Sequence, residues 1–179
     1  MRFTYLRSLL VVATLVAITT PGLSAEPPID SPEQKVLDKW VGSWRTTYKY
    51  PKAEWTPEEK TGTSEHTTSR VIGGRFIQEK SEHSDKTSGS LIVTYDAQKN
   101  SYRSWWFSSA GYTSESSGDW DAVTQTMTWT AKQDGNTTTT KHRFLDDDNA
   151  EWAVLVKSGS GKILFGMEGK SVRAKEPKK

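Results

Sequence analysis

From residue 44 onward the chain keeps a two-residue period, and no other feature limits its fold as much. Trp44, Thr46, Tyr48 and Tyr50 fall on one side of an extended segment, and Arg45, Thr47 and Lys49 on the other. This is the pattern of a strand with one covered face. Nine further stretches read as strands: Thr61 to Ile72, Arg75 to His83, Ser90 to Tyr95, Ser101 to Ser108 with aromatics on both faces, Tyr112 to Trp120, Gln125 to Gln133, Thr137 to Phe144, Glu151 to Lys157, and Ile163 to about Arg173. Turn residues separate them, among them Gly73-Gly74, Asp96 to Asn100, Ala110-Gly111, Asp146 to Asn149 and Ser158 to Gly161. Asp134-Gly135 is the strongest hairpin signal. Such short connections force sequential antiparallel neighbours. A meander of about ten strands would expose long edges if it stayed open. The chain is therefore expected to be all-β, an antiparallel up-and-down barrel in preference to a sandwich.

The one helical pattern precedes these strands. Ser31 reads as an N-cap, with Pro32 at the first helical position and Gln34 three residues after the cap. Val36, Leu37, Trp40 and Val41 then form one apolar stripe suited to lying across a barrel end, and Gly42 stops the helix. Further upstream, Arg2 and Arg7 flank the start of an apolar run, Leu9 to Ile18, followed by the small-residue site Leu23-Ser24-Ala25. Residues 1–25 are thus expected to be a signal peptide, and residues 26–179 one exported domain, periplasmic or extracellular. No second apolar run is long enough for an integral membrane segment after cleavage.

The leader holds two of the 24 basic residues and none of the acidic ones, so the remainder carries 22 of each sign. A balanced chain lacks the basic stripe that nucleic acid requires. There is no cysteine, which excludes disulfides, thiolate chemistry and Cys-ligated metals. Mean hydropathy is −0.70 even with the apolar leader counted. Eight tryptophans must then supply much of the buried apolar area.

Several of these stretches together resemble the exported bacterial family known as domain of unknown function 1579, which is similar to lipocalin-like (calycin) barrels. They are Leu37 to Trp44, Ser69 to Phe76, Tyr95-Asp96, Tyr102 to Trp106, and Gly118 to Asp121. The chain departs from the pattern at Ser108, where an aspartate is expected. The resemblance implies a lipocalin-like barrel and no particular activity. It also implies that Trp44 of the first strand packs beneath Arg173 from the chain's end to close the floor by cation–π contact, and Gly42, which stops the helix, is counted with them in the closure of the barrel.

Alternation gives a candidate ligand-facing set of Tyr48, Phe76, Tyr95, Trp106, Tyr112, Trp129, Trp152 and Glu168, accompanied by Thr46, Gln78, Ser104, Ser114 and Thr140. These residues either line a pocket for an unknown, partly apolar small molecule or fill the barrel completely. A second reading is a structural or interaction module that uses an exposed aromatic face at Trp105 and Phe107. A third, less favoured, is an enzyme with a lumenal carboxylate such as Glu65, Glu115 or Glu168. His66, His83 and His142 lack metal-ligand spacing and read as strand-face residues. The acidic turn at Asp146 lacks the ligand pattern of a calcium loop. No metal or cofactor is called for, and the oligomeric state is not specified.

Overall fold

The computed structural model describes residues 28–175. The leader expected over residues 1–25 and the terminal Lys178 and Lys179 lie outside the described residues. A short helix α1 (Pro32–Val36) runs into one 3-10 turn (Leu37–Lys39), and ten strands follow. They are β1 (Gly42–Tyr50), β2 (Lys60–Val71), β3 (Phe76–His83), β4 (Ser88–Asp96), β5 (Ser101–Ser108), β6 (Thr113–Asp121), β7 (Thr126–Gln133), β8 (Asn136–Phe144), β9 (Asn149–Lys157) and β10 (Ile163–Arg173). Every strand pairs antiparallel with its sequence neighbours, and β1 also pairs with β10, setting Trp44 opposite Arg173 and Lys49 opposite Glu168. The result is a closed up-and-down barrel with no free sheet edge. Several strands reach one or two residues beyond the stretches that alternate in sequence, because pairing continues into turn residues whose side chains carry no period.

The chain reverses at each turn, so the loops after β2, β4, β6 and β8 share one end with the helix, and the other five connections form the mouth. At the helix end, Ser31 Oγ accepts from the Gln34 backbone N–H at 3.3 Å, satisfying one orphan donor. Five helical residues cannot hold a helix by propensity. What holds this one is burial. Leu37 and Trp40 are buried with Trp44, Ile77, Val93, Tyr102, Met127, Phe144 and Ala150 in a single apolar floor.

Two arginines complete the floor by reaching backbone carbonyls of the helix and of the turn after it. Arg70 of β2 donates to the Gln34 carbonyl at 2.5 Å and to Asp38 Oδ1 at 2.6 and 2.9 Å. Arg173 of β10 donates to the Val41 and Lys39 carbonyls, while its guanidinium carbon lies 4.2 Å from the Trp44 ring centroid. Trp44 in turn donates from Nε1 to the Trp40 carbonyl at 2.9 Å. Gly42 sits between these groups with φ of +122°, and a Cβ there would stand 2.6 Å from Arg173 Nη1. Gly42→Ala is therefore expected to lower stability by about 1–3 kcal/mol, seen as a fall in the urea midpoint. An unchanged midpoint would mean that the floor does not depend on this close approach.

Candidate functional site

The register of β1 fixes which side chains face inward around the whole ring. Thr46 stands opposite Ser64 and Ser171, and His66 opposite Ser81. Glu79 follows between Thr68 and Leu91, and Leu91 faces Trp106. Farther round, Trp129 lies between Gly118 and Thr140, and Trp152 between His142 and Gly169. Above the floor the inside is a mixture of aromatic rings, hydroxyls, three imidazoles and one carboxylate.

The rings lie against the wall. A Cβ at Gly62 would stand 2.5 Å from the Tyr48 ring and one at Gly169 2.6 Å from the Trp152 ring; Trp106 covers Gly89 and Trp129 covers Gly118 in the same way. An aromatic laid over a glycine gains contact with the backbone. Leu91, Trp106, Thr140, Val154 and Met167 also face inward yet are only half-buried. Solvent reaches this face, which distinguishes it from the sealed floor.

A polar chain crosses the inside just above that floor. Ser171 Oγ lies 2.7 Å from Thr46 Oγ1, which lies 2.8 Å from His66 Nε2. His66 Nδ1 is 3.2 Å from Glu79 Oε2, at ion-pair distance but without the alignment of a hydrogen bond. Thr68 Oγ1, beside Glu79 in a residue that is 2% exposed, has no hydrogen-bond partner among the described residues. Burial would push the Glu79 carboxyl up, but the contact with His66 and the charges of His66, His142 and His83 outweigh it, holding Glu79 below the usual carboxylate range. His142 faces Glu79 from β8, five strands away in the ring of ten and hence across the barrel. Burial drives the His142 imidazole down to about 4, with Glu79 opposing that shift and His66 adding to it. The order hydroxyl, imidazole, carboxylate is the one that activates nucleophiles. Thr46, however, is 2% exposed, and the strand backbone around it is committed to the sheet. Its hydroxyl is thus enclosed, with Ser171 and His66 as its neighbours.

Among the sequence candidates, Tyr48, Tyr95, Trp106, Trp129 and Trp152 face inward, with Thr46, Ser104, Ser114 and Thr140. Tyr95 sits toward the floor, its ring 5.1 Å from that of Tyr102. Phe76 and Gln78 are on the outer face instead, because β3 pairs with Ile77 and Glu79 inward. Glu168 is also outside, paired with Lys49 at 2.8 Å. Tyr112 belongs to the β5–β6 turn and is 58% exposed at the mouth. Glu65 and Glu115, weighed as lumenal carboxylates, face outward and pair with Arg45 and Arg103. The lumenal carboxylate is Glu79. Its signal was weak: both faces of β3 open with an apolar residue, Phe76 or Ile77, and continue with polar ones. The three histidines, too far apart in sequence to suggest a site, all face inward. Among the described residues no three His, Asp or Glu side chains converge as metal ligands, and no helix is long and apolar enough to cross a membrane.

Comparison with known proteins returns the family described as Protein of unknown function (DUF1579), matched over residues 30–173. No curated protein matches the sequence. Among solved structures, Rv2717c from M. tuberculosis is similar with a TM-score of 0.62 and 11% identity, over 81% of this chain and 99% of that one. The S-type phycobiliprotein lyase CPES from Guillardia theta is similar with a TM-score of 0.57 and 16% identity, over 80% of this chain and 93% of that one. At these identities the likeness is one of fold.

Proposed function

This chain belongs to the DUF1579 family, and from that premise we propose that it is an exported barrel that binds a small, partly apolar molecule inside its mouth-side half. One observation carries the reading. The inward rings of Tyr48, Trp106, Trp129 and Trp152 lie against wall glycines, and Trp106 and Trp152, with Leu91, Val154 and Met167, stay only half-buried inside the barrel. Aromatic walls with a few convergent polar groups suit concave recognition of a small molecule. The leader-like pattern of residues 1–25 supports export. The similar fold of the phycobiliprotein lyase is compatible with the reading and supplies none of its residues. The interaction-module alternative has less support, since Arg103 lies 5.6 Å from the Trp105 ring centroid, leaving Phe107 as the exposed member of that pair.

The test uses N-phenyl-1-naphthylamine, a neutral fluorescent probe, titrated against the intact protein with energy transfer from tryptophan as the signal. Ser116 faces inward opposite Ser104, so Ser116→Phe is expected to weaken binding about tenfold or more by filling the lumen. Trp105→Phe, on the outer face, is expected to leave binding within about twofold. Circular dichroism verifies the fold of each variant. A folded Ser116→Phe that binds like the parent, or loss of binding with Trp105→Phe, would overturn the lumenal reading.

A further inference from the structure

We propose that the lumen selects an organic cation, a protonated amine on an apolar or aromatic body, with its nitrogen held at Glu79 and its body against the tryptophan wall. The inference rests on the lumenal reading above and names the class of molecule it would favour.

The argument begins with charge. Among the described residues Glu79 is the only carboxylate on the inner register of the ten strands. The lysines and arginines of that register stand away from it: Lys60 is at the mouth opposite Tyr50, and Arg70 and Arg173 are committed to the helix at the floor. A carboxylate placed inside a barrel loses hydration and must recover it from partners. Among the described residues the partner is His66, 3.2 Å away and off line, with its other nitrogen taken by Thr46. Its side chain remains 15% exposed, so its charge is still open to the lumen. The opposing His142 lies across the barrel, and burial drives its imidazole down to about 4, so at neutral pH it is a lesser partner to Glu79 than His66.

The surroundings complete the complementarity. The cross-strand row from Glu79 runs through Leu91 to Trp106. Trp106 and Trp152 are half-buried, presenting indole surface inside the barrel. Indole faces attract cations, the more strongly when water is excluded. A neutral ligand would leave the carboxylate with only the off-line His66 beside it among the described residues, and an anion would be repelled by it.

Three probes of similar size separate these cases at pH 7.5: 2-(1-naphthyl)ethylamine, 2-(1-naphthyl)ethanol and 1-naphthylacetate. Titrated against the intact protein by calorimetry, the amine is expected to bind at least about tenfold more tightly than the alcohol, and the acetate most weakly. Glu79→Gln should bring the amine to within about twofold of the alcohol, with the affinity for the alcohol unchanged. If the alcohol or acetate bound the parent as tightly as the amine, or if a folded Glu79→Gln kept the preference, the proposal would be overturned. The selectivity of the parent decides the matter alone should Glu79→Gln fail to fold. Loss of selectivity with N-phenyl-1-naphthylamine still in the lumen sinks only this inference, whereas failure of all four probes to bind sinks the lumenal reading as well.

Discussion

Trp44→Ala is expected to destabilise the protein by about 3–5 kcal/mol, the range for removing a buried aromatic. The side chain is 4% exposed, and its ring lies 4.2 Å from the Arg173 guanidinium carbon and 6.4 Å from the Phe144 ring. Its loss opens a cavity beneath the helix, removes the donor to the Trp40 carbonyl and uncovers one face of Arg173. A domain of this size has a total stability of roughly 5–15 kcal/mol, so a large share is at stake. Trp44→Phe keeps a ring and loses the N–H, and is expected to cost about 1–2 kcal/mol. Urea denaturation of both variants gives the values, and a double-mutant cycle with Arg173→Met isolates the cation–π term at about 0.5–2 kcal/mol. A loss below about 1 kcal/mol for Trp44→Ala would mean that the helix and floor are not held through this residue.

Stability is expected to fall as the solution is acidified from pH 7 to pH 4, with His142 as a principal cause. Folded, its imidazole titrates near 4; unfolded, it returns to its ordinary 6.5. Below pH 6.5 the unfolded chain therefore binds a proton that the folded chain refuses, and stability drops as pH falls until the folded pKa is reached. At about 1.4 kcal/mol per pH unit the contribution is about 2 kcal/mol by pH 5 and about 3 kcal/mol by pH 4. Glu79 acts in the same direction lower down, since its depressed folded pKa confers stability that is lost when acid protonates it. His142→Phe offers a clean comparison. The ring already sits 5.1 Å from Trp40 and 4.8 Å from Phe144, in surroundings that suit an aromatic hydrocarbon. Denaturation series at pH 7, 6 and 5 should show a smaller slope for His142→Phe than for the parent. Parallel slopes would remove His142 from the account.

The inner face shows how far alternation carries an argument. In β1 the two sides differ sharply, Trp44, Thr46 and Tyr48 against Arg45, Thr47 and Lys49, so the inward side is legible. In β3 they do not, and a shift of one residue exchanges Phe76 and Gln78 for Ile77 and Glu79. Only pairing with β2 and β4 settles that choice. Glu168 misleads for a related reason, because β10 carries Glu168 and Lys170 outward between inward Gly169 and Ser171, small residues that do not mark a covered face.

What the sequence determined by itself was the container. Two-residue periodicity, short turns and a capped helix suffice for ten antiparallel strands and a plug, because these are local properties, fixed by neighbouring residues and backbone sterics. Which strands meet to close the ring, and which side chains then share the inside, was decided by the tertiary structure. His66, Glu79 and His142 lie on three different strands, and nothing local relates them. They meet because closure of β1 on β10 imposes one register on the whole barrel. That register turns three scattered histidines and an unremarked glutamate into the polar centre of a lumen.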